Sequence, residues 1–300
     1  MSPTVSVIIP TFNRWPLVGA AVESVLGQSY ADFEIIVVDD GSTDNTAQQL
    51  SQFGSRMRLL TQPHLGVSVA RNLAVRHARG CYLAFLDSDD LWLPKKLAVQ
   101  TAFMEQNPAV RICQTDEVWI RNGVRVNPRA KHRKPSGDIF LPSLERCLVS
   151  PSAVMLTREL FERVGGFDEN LPMCEDYDLW LRVAVDQPVP LIEDKLVIKR
   201  GGHADQLSRS TWGMDRYRML ALQKLLRSSL DGVKRDAAIE VLRRKVKVLA
   251  SGALKRAKVT EAAAYEGILA EFTQDNNVRD DHPRLREGER LSSADARALA

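Results

Sequence analysis

Short apolar runs alternate with helical patterns along the first 115 residues of the chain. Continuous apolar runs, rather than alternating ones, are typical of strands that are buried on both faces. The predicted strands are residues 5–10, 33–38, 57–61, 81–86 and 110–115. The predicted helices between them are residues 15–28, 42–53, 67–78 and 94–106, the second capped by Ser42 or Thr43. This alternation predicts an α/β fold with a mostly parallel, Rossmann-like central sheet flanked by helices.

The pattern changes after residue 115. Residues 118–126, with Asn122-Gly123 at their centre, predict a β-hairpin. Residues 131–142 are polar and basic, and they predict a mobile loop. The later predicted elements are strands at 152–157 and 189–199, helices at 158–164 and 177–185, a C-terminal helical extension at 213–272 and a charged, flexible tail at 273–300.

The formal net charge of +3 gives no reason to expect a nucleic-acid partner. The charge is unevenly distributed, because residues 214–258 contain 13 Lys and Arg against four Asp and Glu. Residues 259–300 contain five against nine. The basic stretch, which includes Arg243, Arg244, Lys245 and Lys247, has two interpretations. It is either a helix packed on the folded domain with a charged outer face, or an amphipathic surface for peripheral contact with an anionic membrane.

The four cysteines, at positions 81, 113, 147 and 174, have the spacing of neither a zinc site nor a small disulfide scaffold. We therefore expect free thiols in a reducing compartment. The N-terminus lacks the pattern of a signal peptide, and no window reaches the roughly 18 apolar residues of a membrane span. These features predict a cytoplasmic protein whose membrane contact, if any, is peripheral at the inner membrane face. They leave the oligomeric state open.

Two of the predicted parallel strands end directly in carboxylates. Asp39-Asp40 follows the second strand, and Asp87-Ser88-Asp89-Asp90 follows the fourth. In an open parallel sheet, ligands bind beyond the carboxyl ends of the strands, so both clusters are expected to face one crevice. Carboxylates that converge in a crevice repel one another unless a cation lies among them or the site stays wet. A divalent cation that is completed by water and substrate phosphates meets this requirement.

Glu175-Asp176 forms a third acidic group, with Asp178 close behind. It precedes an apolar helical stretch, where acidic residues favour the helix through its dipole. Taken alone, this group is read as a helix-capping feature. Asp39-Asp40-Gly41, taken alone, is read as the start of a turn.

Five motifs in this order resemble the family 2 glycosyltransferases of GT-A fold. They are VSVIIPTFNR at 5–14, IIVVDDGSTDNT at 35–46, GVSVARN at 66–72, FLDSDDLWLP at 85–94 and GGFDENLPMCEDYDLWL at 165–181. The resemblance covers about residues 3–210. It implies a catalytic domain over 1–212, with a nucleotide-sugar half at 1–115 and an acceptor and catalytic half at 116–212.

The resemblance also implies roles for individual residues. It implies Asp176 as the catalytic base, with Glu175 as the alternative, and it implies Asp89 and His203 as ligands of a divalent cation, Mn²⁺ or Mg²⁺. The residues that it implies in nucleotide-sugar binding are Pro10, Thr11, Asn13, Asp40, Arg71, Asp87 and Ser88. Of these, Asp87 belongs with Asp89 to the DxD motif, and Thr11 and Asp40 would line the nucleoside pocket.

The chemistry of sugar transfer suits these residue types independently of the resemblance. Displacement of a nucleoside diphosphate needs charge neutralisation on the leaving group, which a divalent cation supplies. The acceptor hydroxyl must lose a proton as it attacks, and a positioned carboxylate can accept that proton. A single base acting in one displacement inverts the anomeric centre. We therefore expect an inverting, metal-dependent transferase. The resemblance further implies a hexosyltransferase with UDP as the default carrier, acting in cell-surface polysaccharide or glycoconjugate synthesis.

The acceptor is expected to be a glycan or a lipid-linked glycan. Residues 131–148 lie where related enzymes bind acceptors. Their basic side chains, with Arg129, would face an anionic acceptor such as a lipid phosphate, or else form a solvated loop.

Three other classes of protein compete with this prediction. A nucleotidyltransferase would use the same fold, metal and carboxylates, but it usually carries a glycine-rich loop after the first strand, and residues 11–14 contain no glycine. A non-catalytic nucleotide-sugar-binding protein would keep Asp40 and lose either the metal cluster or the base. A receiver-type signalling domain would leave Glu175-Asp176 unexplained.

Overall fold

The computed structural model describes residues 2–127, 132–202 and 213–273. Its strands are β1 (Val5–Thr11), β2 (Phe33–Asp39), β3 (Arg58–Thr61), β4 (Tyr82–Phe85), β5 (Leu91–Trp92), β6 (Ile112–Arg121), β7 (Val124–Val126), β8 (Val154–Thr157) and β9 (Leu191–Gly201). They form one sheet in the order β3-β2-β1-β4-β8-β6-β9-β5, and β7 pairs with β6.

The helices described first lie wholly within residues 1–245. They are α1 (Leu17–Leu26), α2 (Thr46–Leu50), α3 (Val67–His77), α4 (Lys96–Gln106), α5 (Phe140–Ser143), α6 (Arg158–Arg163), α7 (Glu175–Ala184) and α8 (Met214–Leu226). Short 3₁₀ helices occupy Ser51–Arg56 and Pro151–Ala153. Two further helices follow, α9 (Gly232–Lys255) and α10 (Val259–Thr273).

The first half of the sheet is parallel, as the alternation of strands and helices predicts. Strand β1 pairs in parallel with both β2 and β4, and β2 pairs in parallel with β3. Every residue of β1 is buried, which agrees with a continuous apolar strand covered on both faces. The second half is mixed, because β8 runs antiparallel to β4 and β6 whereas β9 runs parallel to β6.

The predicted hairpin is present, and its turn has the expected chemistry. Asn122 and Gly123 have φ values of 50° and 77°, and they join β6 to β7. Strand β6 is longer than predicted, however, because the strand expected at 110–115 continues without a break into the hairpin. Gly165 and Gly166, with φ values of 81° and 67°, follow α6 as predicted.

Two local predictions are wrong. Ser42 and Thr43 do not cap α2, which begins at Thr46. The Ser42 hydroxyl instead accepts from Asn13 N at 2.9 Å and donates to Asp39 Oδ1. The prediction of a solvated loop at 131–142 is wrong for the buried residues of the segment, whereas His132 and Arg133 are exposed. The mobility of the segment stays a prediction. Lys134 is buried with its Nζ 2.9 Å from Glu117 Oε2, and Phe140 is fully buried.

The chain divides into two compact units, residues 1–245 and 246–300. The predicted boundary between residues 212 and 213 stays a prediction, since residues 203–212 lie outside the described part. Within the second unit, Ala250, Ala253 and Ala262 pack together with Tyr265. Among the described residues, no helix is both long enough and apolar enough to span a lipid bilayer. All four cysteines are free thiols.

Within the first unit, the basic stretch is engaged in ion pairs. The Arg243 and Arg244 guanidinium groups pair with Glu240, Arg244 also pairs with Glu145, and Lys245 Nζ lies 3.0 Å from Asp215 Oδ1. These pairs agree with the interpretation of a charged outer helix face. Contact with a membrane stays a prediction.

Candidate functional site

The carboxyl ends of three neighbouring strands bring the first two acidic clusters to one edge of the sheet. Thr11, at the end of β1, is the register partner of Asp39 at the end of β2. On the other side of β1, Ile8 is the partner of Phe85, which is followed by the cluster at 87–90. Both acidic clusters therefore begin at the same sheet edge, where ligands bind in folds of this type.

The Asp40 carboxylate holds the loop that leads into α3. Its Oδ1 accepts from Gln62 Nε2 at 2.6 Å and from Leu65 N at 2.9 Å, and its Oδ2 accepts from Gly66 N at 2.9 Å. His64 Nδ1 lies 2.8 Å from the same Oδ2. In this structure Asp40 thus organises residues 62–66, and its predicted contact with a nucleoside stays a prediction.

An aromatic pair lies beside this loop. The rings of Phe12 and His64 are stacked, with centroids 3.8 Å apart and an interplanar angle of 19°. The hydroxyl of the neighbouring Thr11 is buried and has no hydrogen-bond partner among the described residues. Flat ring surfaces beside an unpaired hydroxyl are suited to a planar base with polar edges. The sequence prediction included Thr11 but missed Phe12 and His64.

Pro10 and Asn13 have structural contacts of their own. Pro10 is buried inside β1, opposite Val38. Asn13 adopts a φ of 49°, and its Oδ1 accepts from Thr43 N at 2.7 Å. The Asn13 side chain therefore fixes the loop after β2 against the end of β1. Direct contact of either residue with a nucleotide sugar stays a prediction.

Arg71 joins the second and third acidic groups. Its Nη2 donates to Asp87 Oδ1 at 2.8 Å, and its Nη1 donates to Glu175 Oε1 at 2.7 Å. Burial by itself lowers the pKa of Arg71, but the carboxylates of Asp87 and Glu175 outweigh it and raise that pKa above its usual value. A guanidinium that remains charged thus places the start of α7 beside the 87–90 loop.

The carboxylates of the 87–90 loop differ in their surroundings. Asp87, Ser88 and Asp89 are half-buried, and Asp89 Oδ2 lies 3.4 Å from Arg14 Nη1. Burial and the charge of Asp87 raise the pKa of Asp89, as expected for a carboxylate that would gain from a nearby cation. Asp90 is buried and serves the fold, because its Oδ2 accepts from Ser152 Oγ at 2.7 Å. Burial raises the pKa of Asp90 to about 7.

The donor set of this loop fits a divalent cation. Asp87 and Asp89 supply two carboxylates at the end of β4, and Mg²⁺ in proteins is usually held by one or two carboxylates together with substrate phosphates and water. Among residues 2–127, 132–202 and 213–273, no group of three or more His, Cys, Asp or Glu side chains could enclose an ion. Substrate phosphates and water would complete the coordination shell of such an ion. His203, the other predicted ligand, lies outside the described residues.

The two candidates for the catalytic base have different environments. Glu175 is buried, and its Oε1 is bonded to Arg71. Asp176 is half-buried, and its Oδ2 lies 3.4 Å from the thiol of Cys147. Both residues lie in the first turn of α7, where acidic side chains are favoured, as the capping interpretation expects. The more exposed Asp176 is the better placed of the two to meet an acceptor.

Several residues of this cleft were not singled out from the sequence. They are Arg14, Cys147, Ser152 and Lys199. Arg14 belongs to a motif that was recognised, so its position offered a signal. Lys199 offered none, because its approach to Asp90 depends on the pairing of β9 with both β5 and β6.

Comparisons with known proteins bear on the family and the fold of the chain. Residues 6–165 match the family model described as Glycosyl transferase family 2. WfgD of Escherichia coli, named as a UDP-Glc:alpha-D-GlcNAc-diphosphoundecaprenol beta-1,3-glucosyltransferase, is 32% identical over 221 residues, 73% of this chain and 83% of WfgD. TuaG of Bacillus subtilis, named as a putative teichuronic acid biosynthesis glycosyltransferase, is 44% identical over 183 residues, 60% of this chain and 71% of TuaG.

Some relatives are much longer than this chain. The match with an uncharacterized glycosyltransferase of Rickettsia felis is 34% identical over 200 residues and covers 32% of that protein. Among solved structures, S. aureus TarS 1-349 in complex with UDP-GlcNAc has a TM-score of 0.72 at 22% identity, over 91% of this chain and 81% of TarS 1-349. This likeness identifies the fold as the GT-A type. The chain belongs to the family 2 glycosyltransferases.

Proposed function

We propose that the chain transfers a hexose from a UDP-sugar to a hydroxyl of a glycan or lipid-linked glycan, with inversion of the anomeric centre and with a divalent cation. The product would belong to a cell-surface polysaccharide or glycoconjugate. The observation that carries the proposal is the double contact of Arg71, with Asp87 and Glu175. Through this contact the 87–90 loop, which would hold the diphosphate and the cation, lies beside the start of α7, which carries the proposed base.

The choice of donor and acceptor rests on the relatives. WfgD is named for a UDP-glucose donor and a diphosphoundecaprenol-linked acceptor, and the TarS structure contains UDP-GlcNAc. The stacked Phe12–His64 pair and the unpaired Thr11 hydroxyl support a nucleoside site at the end of β1. A cytoplasmic location, where nucleotide sugars are available, belongs to the same proposal.

In this mechanism Asp176 accepts the proton of the acceptor hydroxyl while the hydroxyl oxygen bonds to the anomeric carbon. The bond between that carbon and the terminal phosphate oxygen breaks, and UDP leaves with the electron pair. Asp89 and Asp87 would hold a divalent cation, which would neutralise charge on the diphosphate. Arg71 keeps the base-bearing helix beside the 87–90 loop. One displacement on one face of the sugar inverts its anomeric centre.

A donor screen tests the proposal. The full chain is incubated with Mn²⁺ and a panel of UDP-, GDP- and dTDP-sugars, and both thermal stabilisation and slow release of nucleoside diphosphate are measured. We expect stabilisation and slow hydrolysis with at least one UDP-sugar. Stabilisation without any release, also in the presence of lipid-linked glycan acceptors, would favour the non-catalytic binding protein. Pyrophosphate release from a nucleoside triphosphate and a sugar phosphate would favour the nucleotidyltransferase.

A further inference from the structure

Lys199 places an ammonium group inside the acidic cleft. It lies on β9, its Nζ is 2.9 Å from Ser150 Oγ, and the same Nζ is 3.9 Å from Asp90 Oδ2. An ammonium carries three hydrogen-bond donors. Among the described residues, Lys199 Nζ forms its one hydrogen bond with Ser150. The group therefore has the capacity to donate to a ligand.

Two contacts show where this ammonium lies along the cleft. Asp90 closes the 87–90 loop, at which the donor diphosphate is expected. Ser150 belongs to the same short segment as Cys147, whose thiol lies 3.4 Å from Asp176 Oδ2. Lys199 thus lies between the carboxylates of the diphosphate end and the segment that contacts the proposed base. A diphosphate held at the 87–90 loop, with its sugar towards Asp176, would bring its terminal phosphate, the one bonded to the transferred sugar, nearest to Lys199.

The surroundings keep Lys199 charged and leave part of it accessible. Burial by itself lowers the pKa of Lys199. The negative charges of Asp90 and Glu117, together with those of Asp87 and Asp89, outweigh this effect and raise that pKa. The Lys199 side chain is 32% exposed, compared with 4% for Arg71 and 15% for Arg14. Both arginines are engaged with carboxylates of the 87–90 loop.

We propose that Lys199 donates a hydrogen bond to the terminal phosphate of the UDP-sugar and stabilises it as the leaving group. When the bond between the anomeric carbon and that phosphate breaks, the electron pair remains on the phosphate oxygen, and the ammonium compensates its charge. Proton transfer from the acceptor to Asp176 is unaffected. The inference rests on the proposed function, because it needs a UDP-type donor in this cleft.

A series of ligands that differ only in phosphate content tests the contact. Uridine, UMP and UDP are titrated by calorimetry, each with Mn²⁺, into the full-length wild-type chain and the Lys199→Met, Lys199→Arg and Lys195→Met variants. Lys195 lies on the same strand, is 50% exposed and pairs with Asp116, so its variant controls for loss of a β9 charge. We expect Lys199→Met to lower the affinity for UDP about tenfold or more and to leave the affinities for uridine and UMP unchanged. Lys199→Arg should retain most of the UDP affinity.

The outcomes separate this inference from the proposed function. An unchanged UDP affinity in Lys199→Met, with normal binding by the wild type, overturns the contact alone. An equal loss for uridine, UMP and UDP also overturns it, because it would show a structural role through Asp90. If the wild-type chain fails to bind UDP, the proposal that the donor is a UDP-sugar is contradicted. The inference about Lys199 then falls as well.

Discussion

At the scale of single residues, adjacent acidic side chains have separate tasks. Glu175 and Asp176 are neighbours in the chain, yet Glu175 is bonded to the buried Arg71 whereas Asp176 is half-exposed beside Cys147. The same division recurs in the 87–90 loop, where Asp90 is buried against Ser152 and Asp89 faces Arg14. In each pair one carboxylate is buried and the other is only partly buried. We predict that the partly buried member takes part in the chemistry.

Asp176→Asn should remove turnover and preserve donor binding. The amide cannot accept a proton at neutral pH, and loss of a general base typically lowers kcat about 10²–10⁴-fold. UDP affinity by calorimetry should be unchanged, because a general base acts on the acceptor hydroxyl and not on the uridine or its phosphates. Undiminished kcat in this variant would transfer the role of base elsewhere, first to Glu175.

Glu175→Gln is the matched comparison for Asp176→Asn. It leaves the buried Arg71 with one charged partner instead of two, and removing one member of a buried ion pair costs about 3–5 kcal/mol. We therefore expect a lower melting temperature for Glu175→Gln than for Asp176→Asn. A reversed order of stability would show that the assignment of structural and chemical tasks at the start of α7 is wrong.

Asp89→Ala should abolish the effect of Mn²⁺ on UDP binding. In the wild-type chain, chelation of the ion by EDTA is expected to weaken UDP binding. The reason is that the two DxD carboxylates and the UDP phosphates would share the coordination shell of one cation. In the variant, calorimetry with and without Mn²⁺ should give the same weak affinity. Asp186→Ala, which removes an exposed carboxylate outside the candidate site, is the control. A persistent Mn²⁺ effect in Asp89→Ala would contradict the metal role.

At the scale of elements, the apolar runs were sufficient to predict β1, β2 and β4, because strands buried on both faces need apolar residues throughout. The 131–142 segment was mispredicted for a physical reason. Its Lys134 looks solvated in the sequence, but Glu117 of β6 compensates the charge inside the protein. Polar composition predicts a loop only when no distant residue supplies such a partner, and one sequence does not reveal the pairing.

We expect Lys96 in α4 to make the free energy of unfolding of the protein depend on pH. Its side chain is fully buried, donates to Gln100 Oε1 at 2.6 Å and lies 3.9 Å from the centre of the Trp92 ring. Burial lowers the pKa of Lys96 from 10.5 to about 7. Between these values the unfolded chain binds a proton that the folded chain lacks, so stability rises with pH.

The pH dependence of Lys96→Met measures this effect. Relative to the variant, the wild-type free energy of unfolding should increase between pH 7 and pH 10, by up to about 1.4 kcal/mol per pH unit. Urea denaturation at several pH values gives the difference. For Lys95→Met, at the exposed neighbouring position, the free energy of unfolding should change with pH in parallel with that of the wild type. Parallel curves for Lys96→Met as well would show that Lys96 stays charged in the folded state.

At the scale of the whole molecule, the convergence of the acidic clusters followed from topology alone. The carboxyl ends of parallel strands meet at one edge, so clusters after β2 and β4 had to face the same crevice. The position of Lys199 could not be derived in this way. It depends on β9 pairing with both β6 and β5, and on a register that shifts within the pairing with β6.

Deletion of residues 274–300 should leave both stability and ligand response unchanged. Every side chain assigned to the candidate site in the described structure lies between Pro10 and Lys199, and the deleted stretch is rich in charged residues. UDP with Mn²⁺ at about one hundred times its Kd stabilises a folded protein by about 2.7 kcal/mol. The rise in melting temperature should be the same in the full chain and in the truncated chain. A lower starting melting temperature would show that the tail stabilises the fold, and a smaller rise would show that it contributes to the donor site.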